Sequence, residues 1–188
     1  MEAFSDGVLA IIITIMVLEI KVPHGAEPAN LVPLIPVFIS YVLSFVYIGL
    51  YWNNHHHLFQ AVDHVNGKIL WANIHLLFWL SLLPFATGWM GENHFSQWPV
   101  IVYGVVLLMC SIAYFIMVRF LIVVHPKESA LVKAIGNDKK GKISCVIYLL
   151  AILLSFVNAW IGIALYFFVA AIWFFPDTRI EKRLESEP

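Results

Sequence analysis

An all-α integral membrane protein with six transmembrane helices is the fold class this sequence predicts, on three observations. Hydrophobic residues fill 61% of the 188 positions and charged residues only 12%, against about 45–50% and about 25% in soluble domains. One soluble core cannot bury that much apolar surface. Apolar runs recur at the length a helix needs to cross a bilayer, roughly 20 residues. The Lys and Arg residues also fall almost entirely on one side once the longest run is divided. Composition excludes disordered and collagen-like chains, and a net charge of -1 excludes a nucleic-acid partner.

Taken in order, the spans are 5–22, 33–53, 69–89, 98–124, 143–158 and 160–175. The first has neither a basic leader nor a small-residue cleavage site, so it reads as a retained span rather than a signal peptide. PHGAEPAN (23–30) is a turn rich in helix breakers. GWMGENHFSQWP (88–99) is a second short loop, with Trp89 and Trp98 where interfacial aromatics belong. HPKESALVKAIGNDKKGK (125–142) is a longer basic loop. The run 143–175 is too long for one crossing, and Asn158 and Gly162 mark the turn of a hairpin within it.

With both termini in the cytoplasm, ten of the eleven Lys and Arg residues lie inside and only Lys21 lies outside. An odd span count would put the basic tail 179–183 outside. The chain therefore reads as a single six-span domain, 1–188, in the cell membrane. Cys110 and Cys145 lie inside apolar runs and form no disulfide framework.

Polar residues inside spans are expensive and therefore informative. Ser5 or Asp6 could cap the first helix by accepting from its free backbone N–H groups. Alternatively, Asp6 belongs to a polar network shared between helices. In WNNHHHLF (52–59) the three adjacent imidazoles point about 100° apart, so they cannot jointly chelate one ion. Hydrogen bonding between helices is the better reading, because His and Asn both donate and accept. Trp71, Asn73 and His75 fall at the same depth if the second and third spans run antiparallel. One cluster of Ser5, Asp6, His55, His56, Trp71 and Asn73 is therefore expected at the cytoplasmic side. Tyr47, Tyr51, Tyr103 and Tyr114 read as aromatic packing.

The middle of the first span is almost uniformly aliphatic. By spacing, Ile11, Ile15 and Leu18 share a stripe with Thr14 beside it, and helix packing and a pore lining both fit that stripe. No nucleotide loop, catalytic triad or HExxH occurs, so no enzyme is expected. A haem clamp needs two imidazoles facing each other within the bilayer, whereas the histidines here cluster at one edge or fall in loops. Neither a metal nor another cofactor is expected.

Phe4-Ser5-Asp6, followed by Ala10-Ile11-Ile12-Ile13-Thr14, then Trp52-His55-His56 and LLPFATGW (82–89), resembles the prokaryotic members of the transmembrane protein 175 family. These are six-span, potassium-selective cation channels, and the likeness covers nearly the whole chain. The family motif opens with an Arg four residues before the Phe, which falls immediately before Met1. Any bonds that Arg would supply are therefore in question. The resemblance implies a homotetramer with four copies of the first span around the axis. Ile11 would form the narrowest ring, Ile15 and Leu18 further rings, and Thr14 would place a hydroxyl near the pathway. A hydrophobic gate of this kind needs no carbonyl filter, and no TVGYG-like loop occurs. Permeating potassium ions and lipid are then the partners. The competing readings are a proton or non-selective monovalent leak and, more distantly, a haem-binding oxidoreductase or a secondary transporter.

Overall fold

The computed structural model describes residues 1–60, 62, 64–126, 132 and 139–174. Lys127, Lys133, Arg179, Lys182 and Arg183, on which the charge argument draws, lie outside them. The described elements are α1 (Glu2–Leu18), a 3-10 segment (Pro28–Leu34), α2 (Ile35–Gln60), α3 (Gly67–Ser81), α4 (Leu83–Glu92), α5 (Gln97–Val124), α6 (Lys139–Ser155) and α7 (Ala159–Phe174). Three stretches are long and apolar enough to cross a membrane: 28–60, 67–92 and 97–124. Helix α1 has 17 residues and spans about 26 Å at 1.5 Å per residue.

Several expected boundaries move, each for a local reason. Helix α1 starts at Glu2 with Met1 as its N-cap residue, and Ser5 and Asp6 therefore lie within the helix. Neither side chain caps it. The second span does not stop at 53, because WNNHHH continues the helix to Gln60. The third span is broken at Leu82, after which α4 starts with a Pro in its first turn. Proline suits that position because its missing N–H would have no partner there. The closing hairpin turns earlier than expected, with α6 ending at Ser155 rather than 158 and α7 starting at Ala159 rather than 160, where Asn158 Oδ1 accepts from the backbone N–H of Trp160 at 2.9 Å.

Helix α5 is central, packing on α3, α4, α6 and α7, while α1 lies against α2, α3 and α4. The interior is not purely apolar. Tyr47 Oη donates to the Tyr166 carbonyl at 2.6 Å. Ser44 Oγ lies 2.6 Å from Thr87 Oγ1 and 3.0 Å from Tyr103 Oη. Tyr166 Oη donates to the Val100 carbonyl at 3.2 Å. Packing is part of what these tyrosines do, with Tyr103 and Tyr166 rings 5.6 Å apart. Their hydroxyls also tie α2, α5 and α7 together where no water offers an alternative partner.

Close approach of α2 and α4 depends on Gly91, where a Cβ would meet Val37 Cα at 2.7 Å and Ser40 Oγ at 2.5 Å. Gly91→Ala is expected to destabilise the bundle by about 1–3 kcal/mol, read as a lower thermal midpoint in detergent. Gly7→Ala, where no atom lies within 4 Å of the added carbon, is expected not to lower it.

Candidate functional site

Helix α1 is held by one face only. Ser5, Leu9, Ile12 and Met16, spaced four, three and four residues apart, are its buried positions, as one side of a helix requires. Large residues on the opposite side are bare: Phe4 is 63% exposed, Ile11 60%, Ile15 42% and Leu18 75%. Thr14 lies on the same open side, and its hydroxyl donates to the Ala10 carbonyl at 2.9 Å. The donor is thus spent on the helix itself, which leaves the oxygen to act outward only as an acceptor.

What fixes the buried face is a relay between three helices at the end of the bundle that carries Met1. Asn73 Nδ2 donates to Ser5 Oγ at 2.9 Å, and Asn73 Oδ1 lies 2.8 Å from His55 Nε2. Ser5 in turn donates to the Met1 carbonyl at 3.3 Å. Since Oδ1 can only accept, His55 carries its proton on Nε2. Its Nδ1 has no hydrogen-bond partner among the described residues. All three side chains are buried, with Ser5 at 0%, Asn73 at 1% and His55 at 2% exposure. The His55 ring also packs on Phe59, the centroids 4.5 Å apart.

Beside this relay, at the surface, lies a second pair of contacts. Trp52 Nε1 donates to Asp6 Oδ1 at 2.9 Å. His56 stacks on Trp52 at 5.6 Å, its Nδ1 lies 2.6 Å from Glu2 Oε1, and the Gln60 amide donates to its Nε2 at 2.9 Å. With Nε2 accepting, the neutral His56 tautomer carries its proton on Nδ1, which lies close to Glu2 Oε1 without making a hydrogen bond to it. The Asp6 carboxyl thus has an indole N–H for a partner.

Trp71 lies outside the cluster. Its indole is 73% exposed, because α3 turns Ala72 and Asn73 inward and presents Trp71 to the outside. His75 is likewise absent, accepting from Trp79 Nε1 at 3.0 Å on its own helix. Glu2 and Gln60 were not singled out from the sequence, and Trp52 only as part of the Trp52-His55-His56 motif, not as a member of the polar cluster. The i, i+4 spacing of Trp52, His56 and Gln60 is the signal that marks them as one helix face.

At the other end of α1, Lys21 Nζ pairs with Glu92 Oε1 at 2.7 Å rather than with nearby Glu19. The hydrogen bond and charge of Glu92 raise the pKa of this exposed ammonium above its ordinary 10.5. The tie is therefore complete at neutral pH and is lost only as pH rises beyond the ordinary lysine range. No group of three or more His, Cys, Asp or Glu suited to a metal occurs among the described residues.

Asn73→Ala strands two buried partners and is expected to cost about 2–4 kcal/mol. Trp52→Phe removes one charge-assisted bond at the surface and is expected to cost about 1 kcal/mol, while Trp71→Phe stays within about 0.5 kcal/mol. Thermal unfolding of the three purified variants checks this order.

Comparison with known proteins places these features in context. The family described as "Endosomal/lysosomal potassium channel TMEM175" matches residues 1–84. A potassium channel from Chryseobacterium sp. is 56% identical over 186 residues, covering 99% of this chain and 97% of its own length. The crystal structure of a lysosomal potassium-selective channel TMEM175 homolog from Chamaesiphon minutus matches with a TM-score of 0.78 at 31% identity, covering 92% of this chain and 93% of that one. The endosomal/lysosomal proton channel TMEM175 of Gallus gallus is 38% identical over 97 residues, which are 45% of this chain and 19% of that protein.

Proposed function

Because this chain belongs to the TMEM175 family of ion channels, we propose that it is a potassium-selective channel, with a conduction path formed by α1 of each subunit in a homotetramer. The observation that carries this reading is the bare apolar face of α1. Phe4, Ile11, Ile15 and Leu18 stand exposed on a helix whose other side is fully engaged, and an exposed apolar stripe on a membrane helix is suited to its own copies as well as to lipid. Ile11 forms the narrowest ring, Ile15 and Leu18 form rings farther along, and the Thr14 oxygen lies between them. The excess of Lys and Arg on one side supports a cell-membrane protein with both termini in the cytoplasm.

Aliphatic rings offer a cation no ligands. A permeating ion passes by narrowing or shedding its water shell, and potassium gives up water more readily than sodium. A tight apolar neck therefore favours potassium, and it closes by losing its water column. The Ser5–Asn73–His55 relay and the Trp52–Asp6 bond act at a distance from this neck by setting where α1 stands. Proton conduction is the second reading, favoured by the name of the Gallus gallus relative, although that match spans only 19% of its length.

Liposomes reconstituted with the purified chain under a potassium gradient, with sodium substitution and a protonophore control, test the proposal. Potassium flux exceeding sodium flux is expected, and flux carried by protons alone would overturn the reading. Ile11→Asn, which puts an amide into the neck, is expected to lower potassium-over-sodium preference, seen as a shift in reversal potential. An unchanged reversal potential would remove Ile11 from the constriction.

A further inference from the structure

A cavity of about 40 Å³ opens between α2, α5, α6 and α7. Tyr47, Leu50, Tyr51 and Asn54 line it along one face of α2, with Ser111 from α5 and Tyr148 from α6. None of its lining residues is charged.

Polar atoms in this wall remain unused. Asn54 Nδ2 donates to the Leu50 carbonyl at 2.7 Å, but Asn54 Oδ1 and Tyr51 Oη have no hydrogen-bond partner among the described residues. Both keep open space beside them, whereas the sealed polar atoms without a partner are Nδ1 of His55 and of His56 and Nε2 of His125. Two of the contacts at the wall are weak. Tyr114 Oη donates to the Asn54 carbonyl at 3.4 Å, and Ser111 Oγ pairs with the Cys145 thiol at 3.2 Å, a long bond and a poor partner. The phenol of Tyr51 and the amide oxygen of Asn54 thus offer both a donor and acceptors at the cavity wall.

Size and charge narrow the occupant. At about 10–15 Å³ each, the space holds about three waters, while ligands of drug size take roughly 300 Å³ or more. An ion finds no opposite charge there, and an apolar guest would leave Tyr51 and Asn54 unpaired. Water donates and accepts in one small body. We propose that this cavity is a site for about three ordered waters, held by Tyr51 Oη and Asn54 Oδ1, that bridge α2 to Ser111 of α5. A bridging water ties two groups nearly as well as a direct bond does, and it can trade partners when helices shift. Helix α2 also carries His55 and Trp52, so this hydrated joint acts on the helix that holds α1. The site does not depend on which ion the protein conducts.

X-ray radiolytic labelling of the purified protein tests this, because hydroxyl radicals formed from a bound water mark the side chain beside it. Tyr148 lines the cavity, whereas Tyr103 and Tyr166 are also buried and do not. In the wild type Tyr148 is expected to be labelled several-fold faster than either, and equal rates would overturn the site. Asn54→Leu, which removes the amide oxygen, is expected to slow Tyr148 labelling several-fold and to leave Tyr103 as it was. An unchanged Tyr148 rate in that variant would likewise overturn the site. Should Asn54→Leu fail to fold, a high-resolution structure of the wild type decides. Discrete density within about 3.2 Å of Tyr51 Oη and Asn54 Oδ1 supports the waters, and a dry cavity or the continuous density of a lipid or detergent tail overturns them.

Discussion

Asn73 joins two helices to its own through a single side chain, and the position of α1 rests on that junction. Its amide nitrogen donates to Ser5 and its oxygen faces the His55 ring, a division of roles that neither a carboxylate nor an ammonium can reproduce in one group. All three residues are sealed from water, so each bond has no competitor and each loss would leave a partner stranded. The apolar contacts of Leu9, Ile12 and Met16 supply most of the contact area of α1 but little directional information, because aliphatic side chains pack in more than one rotation. The polar relay selects one rotation, and that choice determines which residues are left bare.

The rest of the bundle follows the same division between bulk and direction. Apolar runs of bilayer length make helices obligatory, since backbone groups in lipid must bond within their own segment. Tyr47, Tyr103, Tyr166, Ser44 and Thr87 then fix how α2, α4, α5 and α7 meet. Glycines at the crossings, Gly91 above all, let backbones approach where any side chain would hold them apart.

The order of the apolar helical runs was legible in the sequence because run length reports it directly, although the third run divides into α3 and α4. So were the residue types of the polar cluster, since Ser5, His55 and Asn73 are conspicuous in apolar surroundings. Their pairing was less legible. Trp71 and Trp52 both stood near the correct depth, and only the rotation of α2 and α3 decides that Trp52 reaches Asp6 while Trp71 faces outward. The break at Leu82 was hidden inside a continuous apolar run. The aliphatic uniformity of α1 also concealed its two faces, which separate only when α2, α3 and α4 are present to cover one of them.

Among the described residues, the short hydrogen bonds from α1 to its neighbours lie in its first two turns, at Ser5 on the buried face and Asp6 at the surface. Beyond them α1 is held mostly by apolar contact, with a long hydrogen bond from Thr87 Oγ1 to Met16 Sδ at 4.0 Å and the exposed Lys21–Glu92 pair past its far end. Mechanically this is a rod pinned near one end. At 1.5 Å per residue, Ile11 stands about 9 Å from the Ser5 pin and Leu18 about 20 Å. A given tilt therefore displaces Leu18 about twice as far as Ile11. Such a lever has a nearly stationary inner segment and a more loosely held outer one, so the two ends of the same stripe can shift by different amounts while the pinned end keeps every bond it has.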